Sequence, residues 1–229
     1  MRRTSPAFWL LLSLAFTAAA ENADHGRLSG PVNGVRLDQY ANRWWQWAYS
    51  MPSSESPIRD NVGVKCGVNQ TGDVWFLAGG FGSSKITRYC EIPDGKHLFF
   101  PVINMLYIPS PAQLKRGSIT CQSAMVAAAA NNDNLEYIEV VIDGETYTDP
   151  EALRVRPNEC FDAAGGIPGK DGSPKVFPSA TDGYWIMLAP LSPGDHEIRF
   201  GAKYNNPGSG YGTMIQDIHY KIRVSKGST

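Results

Sequence analysis

Three tryptophans fall within four positions of the stretch RWWQWAYSMP, Arg43 to Pro52. An indole carries a large apolar face and a single N–H donor, so it either fills a core or offers a platform to a ring-shaped ligand. Helical phase separates the three. At about 100° per residue, Leu37, Tyr40, Trp44, Trp47, Ala48 and Met51 share one side of a helix and read as a core stripe. Trp45 lies off that stripe, on a flank with Asp38, Asn42 and Tyr49. Trp45 and Tyr49 stand four residues apart, so their rings are neighbours on a helix. An aromatic pair beside an acid and an amide suits sugar stacking or partner docking. Packing of Trp45 under another loop is the competing expectation. Trp45, Tyr49, Asn42 and Asp38 are the candidate binding residues.

Catalytic signals are sparse. No G-x-S-x-G elbow occurs, and His25, His97, His196 and His219 are scattered without H-E-x-x-H or H-x-H spacing. The oxygen-rich NNDN and DGETYTDPE segments do not fit a calcium loop. The Gly-rich LAGGFGSS lacks the lysine of a phosphate cradle and reads as a bend. No metal and no cofactor is expected. Glycoside cleavage needs two facing carboxylates. Asp60, Asp73 and Glu91 lie near the aromatic half, and Asp162, Asp171 and Asp182 flank a long loop, but spacing selects no pair.

The chain opens MRRTSPAFWLLLSLAFTAAA, with two arginines, a short apolar run and a small-residue site ending at Ala20. That is the pattern of a secretory signal peptide, residues 1–20, ahead of one domain over 21–229. No lipobox cysteine follows, and no stable membrane anchor is expected. Loss of the leader moves the formal net charge from −1 to −3, which gives no reason to bind nucleic acid. Four cysteines in an exported chain read as two disulfides. Three connectivities are open. Cys66–Cys90 with Cys121–Cys160 is favoured because each pair brackets its own local segment.

The elements that must position these residues follow from periodicity. Residues 21–33 read as a loosely packed lead-in. A first helix runs from Val35, with Asn33 as its cap, to Pro52. KITRYCEIP alternates, with Ile86, Arg88, Cys90 and Ile92 on one face. HLFFPVINML and GYWIMLAPL are near-continuous apolar runs, as in strands covered on both faces. Pro101 predicts a bulge or an edge position. SITCQSAMVAAAANNDN is the second helix, capped by Ser118 or Thr120. EYIEVVIDGETYTD is a hairpin about Asp143-Gly144, and Asp149 caps a short turn. Residues 162–178 form a long Gly/Pro-rich loop of the kind often functional. HEIRFGAKY and MIQDIHYKIRV alternate cleanly. The whole predicts a mainly β, antiparallel β-sandwich with two or three helices at one side, α+β being the alternative.

The motifs WWQW, KCGVNQTGDVWFLAGGFG, RYCEIPDGKHLFFPVIN and DGYWIMLAPLSPGDHEIRFGA, in that order, resemble a family of exported microbial β-rich proteins of unassigned function. The resemblance spans most of the chain after the leader. It implies export, the favoured cysteine pairing and a β-rich fold, and it assigns no catalytic residue. The expectation is a secreted or periplasmic binding module, with a glycan or envelope polymer as partner. A polysaccharide hydrolase or lyase using paired carboxylates, and a structural envelope protein, are the alternatives.

Overall fold

The computed structural model describes residues 26–82, 85–147, 149, 151–165, 175–208 and 212–226. The expected leader and the middle of the Gly/Pro-rich loop lie outside the described residues.

Among the described residues nine strands form two sheets that face each other. The four-stranded sheet runs β1 (Val74–Phe76), β3 (His97–Tyr107), β7 (Ala180–Leu188), β6 (Arg154–Val155). The five-stranded sheet runs β2 (Lys85–Pro93), β9 (Gly212–Ser225), β8 (Gly194–Asn206), β4 (Leu135–Ile142), β5 (Glu145–Thr146). The fold is thus mainly β, as the strand patterns predict. It is not purely antiparallel: β1 pairs with β3, and β2 with β9, in parallel. Alternation reports which face a residue occupies and says nothing of strand direction, so these pairings had no sequence signal.

Burial explains the composition of each strand. In β8 and β9, Ile198, Phe200, Ala202, Tyr204, Ile218, Tyr220, Ile222 and Val224 turn inward onto the main core. Strands β3 and β7 are covered on both faces. Phe100, Ile103, Ile186 and Leu188 meet the five-stranded sheet, while Phe99, Trp185 and Met187 meet α1 (Leu37–Tyr49). The result is three layers: sheet, sheet, helix. Pro101 marks a register shift in the β3–β7 ladder, so the expected bulge is present. It does not mark an edge strand. Pairing with β1 stops at Phe99, so the missing N–H of Pro101 falls beyond the last β1 partner.

Helix α1 starts later than Asn33. Val32 and Val35 exchange two backbone hydrogen bonds around Asn33 and Gly34, both at positive φ. That Asn-Gly pair is a tight-turn signal, and it takes Asn33 out of the capping position. Arg36 is the cap, and its N–H donates to Gln39 Oε1 at 3.2 Å. The helix ends at Tyr49, ahead of Pro52. The lead-in is also tighter than expected from Gly26 onward: Leu28 N–H donates to Met187 O at 2.8 Å and Val32 is 5% exposed. A short helix over Pro111–Arg116, α2, was not foreseen; Ser110 caps it and Gly117 closes it in the left-handed region. The predicted second helix is shorter than its pattern, Cys121–Ala129 (α3), with Thr120 as its cap. Asp143 and Gly144 form the β4–β5 turn, both at positive φ. Asp149 accepts from Ala152 N–H at 3.3 Å, as its capping role requires.

Both expected disulfides are formed, Cys66–Cys90 and Cys121–Cys160. Among the described residues no helix is long and apolar enough to cross a membrane.

Candidate functional site

Each tryptophan of α1 ties the helix to a different segment. Trp44, 2% exposed, donates its Nε1–H to Leu77 O at 2.9 Å and lies edge-on to Trp185. Trp47 donates to Val68 O at 3.0 Å. Trp45 donates to Thr181 Oγ1 on β7 at 2.9 Å. Trp44 and Trp47 are therefore core residues whose only polar group is satisfied. Replacing Trp44 by alanine should cost roughly 3–5 kcal/mol, read as a lower urea midpoint. A change below about 1 kcal/mol would reject the anchoring role.

The flank of Trp45 is less open than its sequence suggests. Trp45 and Tyr49 do stack, 5.8 Å between centroids and 22° between planes, and Tyr49 is 48% exposed. Asp38 and Asn42 are buried. Asp38 is gripped by Arg36 at 2.9 and 3.0 Å and accepts from Asn158 N–H. Burial pushes the Asp38 carboxyl upward, and Arg36 with Asn158 outweighs it, leaving it below its ordinary value. The segment after β6 covers this side, and Gln46 Nε2 reaches Asp162 O at 3.0 Å from the helix. Of the four candidates only Tyr49 presents an open face.

The opposite flank of α1 borders a groove of about 490 Å³. Its floor is aromatic: Tyr40, Trp47 and Phe76. Its rim carries Asn33, Arg43, Gln46, Asn69 and Asp73. One wall is α1, where Arg43, Gln46 and Ser50 recur at helical steps beside Trp47. The other is the chain from Cys66 to β1. Gln70 shapes that wall by acting as a short extra strand: its amide accepts from Phe76 N–H at 2.9 Å and donates to Phe76 O at 2.8 Å and Cys66 O at 2.9 Å. The Cys66–Cys90 bridge pins the same wall to β2. Asn69, in the left-handed region at φ 52°, turns its amide to Ser50 Oγ at 3.1 Å.

Arg43 and Asp73 both act on Tyr40. Burial raises the Tyr40 hydroxyl pKa, Arg43 draws it down and Asp73 adds to the rise. Yet Arg43 and Asp73 form no ion pair. Among the described residues the Asp73 carboxylate accepts only a long bond from Asn33, 3.4 Å, and Arg43 lies over the Tyr40 ring at 5.5 Å. Among the described residues the Arg43 guanidinium has no hydrogen-bonding partner. A cation, a carboxylate and three amides around an aromatic floor can grip a polyhydroxylated ring. Helical phase held part of this signal, since Arg43, Gln46 and Ser50 adjoin the core stripe. The contribution of Asn33, Asn69 and Asp73 needs the loop to fold back.

The other carboxylates have local work. Asp60 accepts from the N–H groups of Val62, Gly63 and Lys65, at 3.0, 3.0 and 2.7 Å. Asp162 accepts from Ala164 and Val176 N–H. Asp171 lies outside the described residues. Glu91 is exposed on the outer sheet face. Asp182 and Asp133 do converge, but on one atom: Arg154 Nη2 lies 2.9 Å from Asp182 Oδ1 and 2.8 Å from Asp133 Oδ1. Burial raises the Asp182 carboxyl pKa against the pull of Arg154. A guanidinium between two acids occupies the space that a water or glycosidic oxygen would need. Among the described residues no cluster of three histidine, cysteine or acidic groups could hold a metal.

A wider concavity, about 810 Å³, lies on the outer face of the five-stranded sheet. Several of its charged groups already have neighbours: Arg223 pairs with Asp195 at 2.7 Å, Glu197 with Arg199 at 2.8 Å, and Lys221 lies over the Tyr89 ring. At its end, His196 joins two turns. Its Nδ1 is 2.6 Å from Asp143 Oδ2 and its Nε2 is 2.8 Å from Ser192 O. Both partners are acceptors, so the two bonds together require the imidazolium. Burial lowers the His196 pKa, but Asp143 and Ser192 outweigh it and the net direction is upward from 6.5. The contribution to stability is complete below that ordinary value and is lost as pH rises through the raised folded value. Urea midpoints of the wild type should fall as pH rises above the ordinary histidine value of 6.5, and His196→Gln should remove much of that slope. Equal slopes in the two proteins would overturn the assignment.

Comparison of the chain with protein-family models, with curated proteins and with solved structures found no match.

Proposed function

We propose that the chain is an exported binding module of the family its motifs resemble, that it takes a glycan, and that the groove between α1 and the Cys66–β1 wall is where it does so. The observation that carries this is the uncommitted Arg43–Asp73 pair at the rim of an aromatic floor. Neither group is spent on an ion pair, so both are available to a ligand that bridges them. Two disulfides in the fold fit a chain that works outside the cytoplasm. A glycan or an envelope polymer made of such sugars matches the mixture of amides, charge and aromatic edges. The hydrolase alternative has less support, because the acid pairs that converge among the described residues, Asp133 with Asp182 and Asp38 with Glu159, are bridged by Arg154 and Arg36.

The test is a glycan array with the purified protein, followed by calorimetry on any hit. Arg43→Ala and Asn69→Gly should each weaken binding about tenfold with unchanged melting, the value of one charge-assisted hydrogen bond. Glycine keeps the left-handed backbone that Asn69 adopts. Tyr49→Ala, on the other flank, should leave affinity unchanged. If only Tyr49→Ala weakens binding, the site is the stacked Trp45–Tyr49 face instead. No binding on the array sinks the glycan reading, and new chain ends after incubation with polymer would favour the hydrolase.

A further inference from the structure

We infer that a third cavity, about 370 Å³ at the start of α1, is an oxyanion site that takes a carboxylate, sulfate or phosphate group. Four arginines line it: Arg27 from the lead-in, Arg36 at the helix cap, Arg154 in β6 and Arg156 just beyond. Asp38 is the only acid in the same wall. The lining itself therefore presents more positive than negative groups, while Asp133, Asp182 and Glu159 meet these guanidiniums from behind it.

The other acids that touch Arg36, Arg154 and Arg156 stand outside the cavity wall. Asp133 and Glu159 are 51% and 59% exposed, so water screens their charge. Asp182 is buried and receives Arg154 at Nε, 3.0 Å away, which fixes that guanidinium in place. Glu159 receives Arg36 at 3.2 Å. Asp38 in the wall holds Arg36 by two bonds, 2.9 and 3.0 Å, and Asp182 behind it holds Arg154, so both guanidiniums are fixed in place and their remaining donors suit a planar or tetrahedral oxyanion. Arg156 is the least committed. Its side chain is 61% exposed and its contacts, 3.4 Å to Asp133 and 3.9 Å to Asp182, are long.

Two further features point the same way. Trp185 belongs to the wall and is 2% exposed, yet its Nε1–H has no hydrogen-bond partner. A buried donor left unpaired is costly, and the other two buried indoles of this core, Trp44 and Trp47, are both satisfied. The first turn of α1, a 13-residue helix, also opens here through Leu37 and Asp38. Its N–H groups and the helix dipole favour negative charge. A neutral sugar makes no use of this arrangement and a cation is repelled by it, so the site is distinct in chemistry from the groove.

The test uses the intact protein labelled with nitrogen-15, titrated with inorganic sulfate, inorganic phosphate or glucuronate, with sodium chloride keeping ionic strength constant. The Trp185 indole resonance, identified by its absence in Trp185→Phe, should shift saturably with at least one anion. Arg156→Gln, at an exposed position, should keep the melting temperature without ligand and weaken the response about tenfold. Glucuronate as the strongest ligand would assign the site to an acidic sugar; sulfate or phosphate as strongest would assign it to the inorganic ion or its esters. No saturable shift with any of the three, or an equal response in Arg156→Gln, overturns the inference. Arg43→Ala should leave the titration unchanged, so failure of the groove and failure of this site are read separately.

Discussion

Replacing Arg88 by methionine is expected to lower stability by roughly 3–5 kcal/mol, the range seen when one partner of a buried charged network is removed. Arg88 is 1% exposed and points inward from β2 between Ile86 and Cys90. It forms no ion pair among the described residues, although the Asp60 carboxylate lies near enough to feel its charge. Nε donates to Asp60 O at 2.6 Å, Nη1 to Ala78 O at 2.6 Å and Tyr220 Oη at 3.1 Å, and Nη2 to Gly79 O at 2.9 Å and Ile58 O at 3.3 Å. The planar fork of donors therefore matches oxygens from two loops and β9, which is what makes a buried guanidinium tolerable. Methionine fills the volume but leaves the carbonyls of Ile58, Asp60 and Gly79 without this donor, at about 1–3 kcal/mol for a buried polar group left unpaired. Lysine has a single ammonium and cannot span both loops, so Arg88→Lys should fall between wild type and methionine. Urea denaturation reads the difference. A loss under about 1 kcal/mol for Arg88→Met would show that the loops hold without it.

Reduction of the two disulfides is the second large effect. The bridges link residues 24 and 39 positions apart. Loop-closure entropy assigns each about 3–4 kcal/mol, acting mainly on the unfolded chain. For a chain of this size each kcal/mol moves the melting temperature by about 2–4 °C, so Cys121→Ser with Cys160→Ser should lower it by about 10 °C. Cys121 is the first residue of α3, and the bridge fastens that helix to the segment leading towards β7. Cys66→Ser with Cys90→Ser should have a similar thermal effect and a second consequence. It releases the wall that carries Asn69 and Asp73, so any glycan affinity should fall further than stability alone explains. Thermal scans with and without reductant give the first result. Calorimetry well below the transition gives the second. A shift of less than about 2 °C in either double variant would contradict the entropic account.

Much of the fold is legible because burial is periodic. Ile198, Phe200, Ala202 and Tyr204 alternate with polar neighbours, and the structure turns all four inward. The unbroken apolar run in β7 announces two covered faces, and α1 on one side with the five-stranded sheet on the other supplies them. Helical phase places Trp44 and Trp47 in the core. Arg88 shows where this kind of signal stops. Its alternation with Ile86 and Cys90 marks it as inward, but the carbonyls that accept its charge come from residues 58–60 and 78–79, which no local pattern connects to it.

The candidate sites divide along the same line. Trp45, Tyr49, Asn42 and Asp38 share a helical flank, as their spacing requires. Whether that flank meets water depended on a segment more than a hundred residues away, and Asn158 closes over Asp38. The groove joins α1 to a loop shaped by Gln70 and by a disulfide, and the oxyanion cavity gathers arginines separated by up to 129 positions in the chain. What the sequence by itself determined is which strand residues face inward and where most turns fall; it favoured the cysteine pairing by proximity, and the fold selected it from three. The inward faces and the turns follow from local backbone geometry and from the transfer of apolar surface out of water. Strand direction, the fate of each exposed flank and the convergence of distant charges were decided only by tertiary packing, because they depend on which segments become neighbours once the core is closed.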